Sequence, residues 1–141
     1  MHQDDYSYGI LPLRQIKGEW QILLIKHLKG HWAFPKGHAD PDEKPIEAAM
    51  RELKEETGLI ISRFLERAPF QESYVFRSGQ LSIHKTVIYF AAEVEGDIML
   101  QEEEIEDYKW LSVRSAHKYL TFPEARRVCE EINVYLSEEI S

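Results

Sequence analysis

Apolar residues along the chain fall into short runs, separated by polar stretches rich in glycine, proline and aspartate. The spacing within the runs predicts the elements. Residues 6–14 read as a first strand, with Gly9 and Pro12 as irregularities. Lys17 and Gly18 make a turn. Residues 20–26, WQILLIK, are almost continuously apolar, as in a strand buried on both faces. Trp32, Ala33 and Phe34 form a short extended piece, and Pro35 biases Phe34 away from helix. Residues 35–44 are a loop. Pro45 sits where a first helical residue belongs, and the helical period then runs to about Thr57 and stops at Gly58. Residues 60–76 are strand material interrupted near Pro69, residues 78–80 a hairpin turn, and residues 81–94 a returning strand. In that strand Lys85, Val87 and Tyr89 share one face, and Thr86, Ile88 and Phe90 the other. An acidic loop over residues 101–107 and a short strand over 108–111 follow. Ser112 caps a short helix to about Leu120, and a terminal helix begins at Pro123. Ala125, Val128, Ile132 and Leu136 carry its apolar stripe. This order predicts an α/β fold with a mixed sheet, not a regular strand–helix alternation.

Length and composition narrow the class. A chain of 141 residues is expected to form a single domain over 1–141. With 43% hydrophobic and 30% charged residues it is neither disordered nor of low complexity. Its longest apolar runs, 22–25 and 87–92, fall far short of the roughly 18 residues of a membrane span. The polar opening with Asp4 and Asp5 is not expected to be a secretory leader. Cys129, the lone cysteine, has no partner for an internal disulfide. The expectation is a cytoplasmic protein, a monomer or simple homo-oligomer, with no membrane partner. The net charge of −8 also argues against duplex nucleic acid as a partner. Net charge does not say whether some carboxylates hold a divalent cation; their positions do.

On a helical wheel, Ile46, Ala49, Met50, Leu53 and Thr57 make an expected core stripe. Glu52, Glu55 and Glu56 share a second face with Ala48, and Arg51 lies beside Glu55. Three carboxylates within one turn repel each other, and they stand toward the wrong end of the helix for its dipole. A divalent cation between them removes both costs, and hard oxygen ligands suit magnesium. In isolation such glutamates are most simply a solvated face. Here they belong to a longer pattern: Gly37, Glu43, Arg51, Glu52, Leu53, Glu55, Glu56, Gly58 and Leu59, spaced G-x5-E-x7-R-E-L-x-E-E-x-G-L. Chance gives such a match about once in a billion start positions. The pattern resembles the signature box of the Nudix hydrolases at every position.

The resemblance implies an α/β/α sandwich, with a mixed β-sheet on which the box helix and the C-terminal helices pack. It implies hydrolysis of a nucleoside diphosphate linked to another group, with Mg²⁺ or Mn²⁺ as cofactor. By position, Glu52, Glu55, Glu56 and the Gly37 carbonyl are implied metal ligands. Arg51 is the residue that orients the glutamates, and Glu43 supports the loop. Either Glu55 or Glu56 is the general base; the sequence does not separate them.

Further segments resemble the asymmetrical diadenosine tetraphosphate hydrolase branch. They are Tyr6-Ser7-Tyr8-Gly9, Phe34-Pro35-Lys36-Gly37-His38, Lys85-Thr86-Val87-Ile88-Tyr89, Tyr108-Lys109-Trp110-Leu111 and Leu120-Thr121-Phe122-Pro123-Glu124. That branch implies cleavage of diadenosine tetraphosphate to ATP and AMP. It also implies a metal-assisting glutamate six residues before Trp110, which is Glu104. A polyphosphate needs cations, for which Lys36, His38 and Lys85 are candidates. An adenine needs an aromatic plate, for which Tyr89 is the first candidate and Phe122 or Tyr135 the second. The substrate expected is a small nucleotide. The rivals are another Nudix substrate (an RNA 5′ end, an oxidised nucleoside triphosphate or a diphosphoinositol polyphosphate) and, ranked last, a silent nucleotide-binding Nudix domain. His2, His27, His31, His84 and His117 show no ligand spacing to one another, and Trp20, Trp32 and Trp110 read as core.

Overall fold

Successive side chains of a strand point to opposite faces, so paired apolar residues in inner strands feed a core on each side of a sheet. Ile10 with Leu11, Leu23 with Leu24 and Ala91 with Ala92 are such pairs, and each splits between two separate buried clusters. The computed structural model describes residues 1–140. Its eight strands are β1 (His2–Ile16), β2 (Glu19–His27), β3 (Trp32–Ala33), β4 (Lys36–Gly37), β5 (Ile60–Phe64), β6 (Phe70–Ser78), β7 (Leu81–Glu95) and β8 (Ile105–Ser112). The helices are α1 (Pro45–Thr57) and α2 (Pro123–Ile140), with a short 3-10 turn at Ala116–Tyr119.

The strands form one mixed sheet in the order β3-β2-β1-β7-β5, with β4 on β1, β6 on β7 and β8 on β2. β1 and β7 run parallel, from His2 opposite Ser82 to Leu13 opposite Glu93. The other pairings are antiparallel. Ala49 and Leu53 of α1 pack with Ile10, Leu23, Ile25 and Ala92 on one side. Val128, Ile132 and Leu136 of α2 pack with Leu11, Leu24, Val87 and Tyr89 on the other. Helices therefore cover a mixed sheet, and the strand WQILLIK is buried on both faces as its composition requires.

Four expectations need correction. β1 starts at His2 rather than near Tyr6. Its polar first residues make strand because the backbone ladder to β7 does not depend on apolar side chains. The interruption near Pro69 is complete: β5 and β6 are separate strands on different stretches of β7. The helix after Ser112 is only the 3-10 turn, flanked by Ser115. Lastly, α1 is rotated from the expected stripe. Ala48 and Glu56 are buried with Ala49, Leu53 and Thr57, whereas Ile46 and Met50 are exposed. The helix turns part of its glutamate face inward and gives up two apolar contacts to do so. The stripe of α2 is as expected, with Cys129 buried beside it and its thiol pushed up to about 12 by burial. Trp20, Trp32 and Trp110 are partly buried against the two cores.

Candidate active site

Pro45 pre-sets the first turn of α1, and the Lys44 N–H donates to Glu47 Oε1 at 2.8 Å. Gly58, at φ 81°, ends the helix in the left-handed conformation, and its N–H donates to the Lys54 carbonyl. Between these ends Arg51 organises the carboxylates. Its guanidinium donates from Nε to Glu43 Oε2 at 2.8 Å and from Nη2 to Glu43 Oε1 at 3.0 Å, a two-pronged grip. Nη1 reaches Glu52 at 3.1 Å and both Glu55 oxygens at 3.2 Å, and Nη2 also reaches the His38 carbonyl. Hydrogen bonds from Glu43 above all, then Glu55 and Glu52, keep Arg51 charged against the opposing effect of burial. Arg51 thus touches Glu43, Glu52 and Glu55 at once.

Glu52 lies beneath the β4 loop. A methyl group at Gly37 would overlap its carboxylate, which would have to swing aside. Glu55 is exposed. Glu56 is 3% exposed, its Oε1 has no hydrogen-bond partner, and its carboxyl accepts from the Lys36 backbone N–H. Burial, then the Glu52 charge, pushes its pKa up to about 9. An unpaired buried carboxylate oxygen among acidic neighbours fits a divalent cation. The donor set of Glu52, Glu55, Glu56 and the Gly37 carbonyl is all oxygen, as magnesium or manganese prefers. The expected Glu104 is exposed in the loop before β8. That loop is tied to α1 by the Gln101 N–H to the Glu56 carbonyl at 3.2 Å, and the Glu104 charge acts on Glu56.

The basic candidates assemble beside this helix. Lys85, 6% exposed on β7, donates to Asp5 Oδ2 at 2.9 Å and to Ser7 Oγ. His38 Nε2 lies 2.9 Å from Asp5 Oδ1 and 3.4 Å from Lys85 Nζ. Burial works against the Asp5 charge, but Lys85 and His38 outweigh it and hold this carboxyl below its usual range. Lys36 is half-buried, and burial and Lys85 bring its pKa down. The charges of Glu72, Glu56 and Asp5 act on it in the other direction.

From Lys36 a cavity of about 340 Å³ opens, lined by His31, Glu72, Tyr74, Tyr89 and Phe122 among others. Tyr89 departs from its expected role as an open plate. It is 1% exposed, its hydroxyl donates to Glu72 Oε1 at 2.6 Å, and its ring meets Phe34 edge-on. The open aromatic rings here are Tyr74 and Phe122, the latter 50% exposed with its centroid 5.5 Å from that of His31. Tyr135 is misassigned: it lines a different groove with Arg67 and Arg127.

Sequence reasoning missed Asp5, Ser7, His31, Glu72 and Tyr74. Asp5 and Ser7 become visible only when β1 pairs with β7. It also missed a second grouping. Among the described residues, the three glutamates are not gathered as closely as His2, Asp4 and His84, whose ligand atoms all lie within 4.8 Å of one another.

The NUDIX domain family model matches residues 5–132. The chain belongs to the NUDIX family of hydrolases. It is 36% identical over 123 residues to the asymmetrical bis(5′-nucleosyl)-tetraphosphatase of Rattus norvegicus, covering 82% of this chain and 80% of the relative. It is 29% identical over 133 residues to an RNA pyrophosphohydrolase of Nitratiruptor, covering 87% and 84%. A crystal structure of a Caenorhabditis elegans Ap4A hydrolase binary complex superposes with a TM-score of 0.74 at 22% identity, over 94% of this chain and 98% of that one. This Nudix chain thus shares the fold of that enzyme, and no helix among its described residues is long and apolar enough to cross a membrane.

Proposed function

We propose that this Nudix hydrolase cleaves dinucleoside polyphosphates, converting diadenosine tetraphosphate and water to ATP and AMP. The single observation that carries the reading is the unpartnered, buried Oε1 of Glu56, whose carboxyl accepts from Lys36, a residue that also lines an aromatic cavity. The name of the rat relative points to the same reaction.

Glu52, Glu55, Glu56 and the Gly37 carbonyl would hold Mg²⁺ or Mn²⁺, with Glu104 assisting from its loop. When bound, the metal neutralises phosphate oxygens and lowers the pKa of the attacking water. Arg51 fixes Glu52 and Glu55 so that their carboxylates do not wander. Either Glu55 or Glu56 would take the water's proton. Lys36, His38 and Lys85 supply positive charge along the phosphate chain. Phe122 and Tyr74 offer faces to a base, and Tyr89 forms the wall behind them. We assign this activity to a single domain over 1–141, in the cytoplasm, acting as a monomer or simple homo-oligomer.

A second reading, an RNA 5′-end pyrophosphohydrolase, is favoured by the Nitratiruptor relative and opposed by the net charge of −8. One experiment separates them. The protein with magnesium is given diadenosine tetraphosphate, ATP, an oxidised nucleoside triphosphate, a diphosphoinositol polyphosphate and 5′-triphosphate RNA, in ¹⁸O-water. The proposal expects the dinucleotide to be cleaved far faster than ATP, with label in one of ATP or AMP only. Faster release from RNA, or label in any other product, overturns it.

A further inference from the structure

The parallel pairing of β1 with β7 brings together three metal-ligating side chains that are far apart in sequence. Asp4 is the register partner of His84, and His2 lies two residues before Asp4, so all three project from one face. His2 Nε2 is 3.0 Å from Asp4 Oδ1, and the His2 and His84 rings meet edge to face with centroids 4.0 Å apart. We propose that His2, Asp4 and His84 bind one transition-metal dication of the zinc class, at a site distinct from the glutamates of α1.

The donor set sets the ligand class. Two imidazoles and a carboxylate suit zinc, cobalt or nickel, whereas magnesium takes oxygen ligands and keeps its waters. The two sites therefore choose different ions. Geometry is close to what zinc needs. Bonds of about 2.0–2.1 Å in a tetrahedral arrangement place ligand atoms about 3.3–3.5 Å apart. Ligand atoms already within 4.8 Å of one another reach that spacing by small rotations of side chains. All three residues are exposed, so entry of the ion buries no charge, and water completes the coordination.

The location gives the site a consequence. Asp4 and His84 immediately precede Asp5 and Lys85, whose ion pair lies on the opposite face of the same two strands. A metal bridging Asp4 and His84 adds, on the exposed face, a second side-chain tie between β1 and β7 to that of the Asp5–Lys85 pair on the other. It holds in register the strands that carry the phosphate-facing lysine.

The test is calorimetric titration of the untagged protein with zinc, in buffer already saturating in magnesium. One zinc per chain is expected, with a raised melting temperature. His84→Gln and Asp4→Asn should each weaken zinc binding by at least about tenfold and remove the thermal gain. Both variants should keep the wild-type magnesium-dependent turnover, which shows that they are folded. Cobalt(II) in place of zinc should give a visible absorption band that both variants lose. No zinc uptake in magnesium buffer overturns the proposal. So does zinc affinity in both variants within about twofold of wild type, since the ion then sits elsewhere.

Discussion

At the scale of single residues, Glu56 is held against its own preference for water. With its pKa at about 9 against an ordinary 4.5, the folded protein without metal keeps a proton that the unfolded chain has released. Between those values stability falls as pH rises, at up to about 1.4 kcal/mol per pH unit. Denaturant melts in chelator from pH 5 to 9 should show this slope, and saturating magnesium should flatten it, because the ion takes the proton's place. Glu56→Gln should lose the slope and lower kcat by about a hundredfold or more, with the fold intact. Near-normal turnover in that variant would remove Glu56 from the metal site. Gly37→Ala is the complementary probe, since its methyl group displaces the Glu52 carboxylate. It should reduce kcat by about tenfold or more with little loss of stability, since the flexible Glu52 side chain swings aside. For the base, Phe122→Ala should raise KM more than it lowers kcat. Tyr89→Phe, which strands the buried Glu72, should cost about 1–3 kcal/mol in stability. An unchanged KM in Phe122→Ala would clear that ring of stacking. The grouping of Arg51 with Glu43, Glu52 and Glu55 was legible because these residues lie within one helix and its leading loop. The change of role between Tyr89 and Tyr74 was not, because alternation names a face of β7 and does not say how deeply that face is covered.

At the scale of elements, α1 shows where pattern reading stops. The wheel located Ala49, Leu53 and Thr57 in the core, yet it assumed that apolar residues alone choose the buried face. Ile46 and Met50 are exposed while Glu56 is buried, so hydrophobicity alone does not set how the helix is seated. Arg51 compensates for that seating by binding Glu43, Glu52 and Glu55 together. Arg51→Lys keeps the charge but loses the planar fork, and Lys has no second prong for Glu43. It should reduce kcat by at least about tenfold, with a smaller change in the melting temperature than Leu53→Ala, which should cost about 2–5 kcal/mol. A kcat equal to wild type in Arg51→Lys would show that the glutamates need no orienting fork. The strands were legible as segments. The split between β5 and β6 was signalled only by Pro69, and the early start of β1 by nothing in its side chains.

At the scale of the whole molecule, burial of β2 on both faces was legible in WQILLIK, and the layered architecture was implied by the family resemblance. Which strands neighbour each other did not follow, and that choice assembles the basic side of the site. Asp5 reaches Lys85, and His38 reaches Asp5, only because β1 lies between β4 and β7. The same adjacency has a cost in time. Every backbone partner that β1 finds on β7 lies in the segment Ser82 to Glu93, so during synthesis the first strand emerges long before its mate. Closing that long loop comes late and is entropically expensive, which slows folding. A nascent chain halted before Ser82 would carry a first strand without its β7 partner, open to association with other chains.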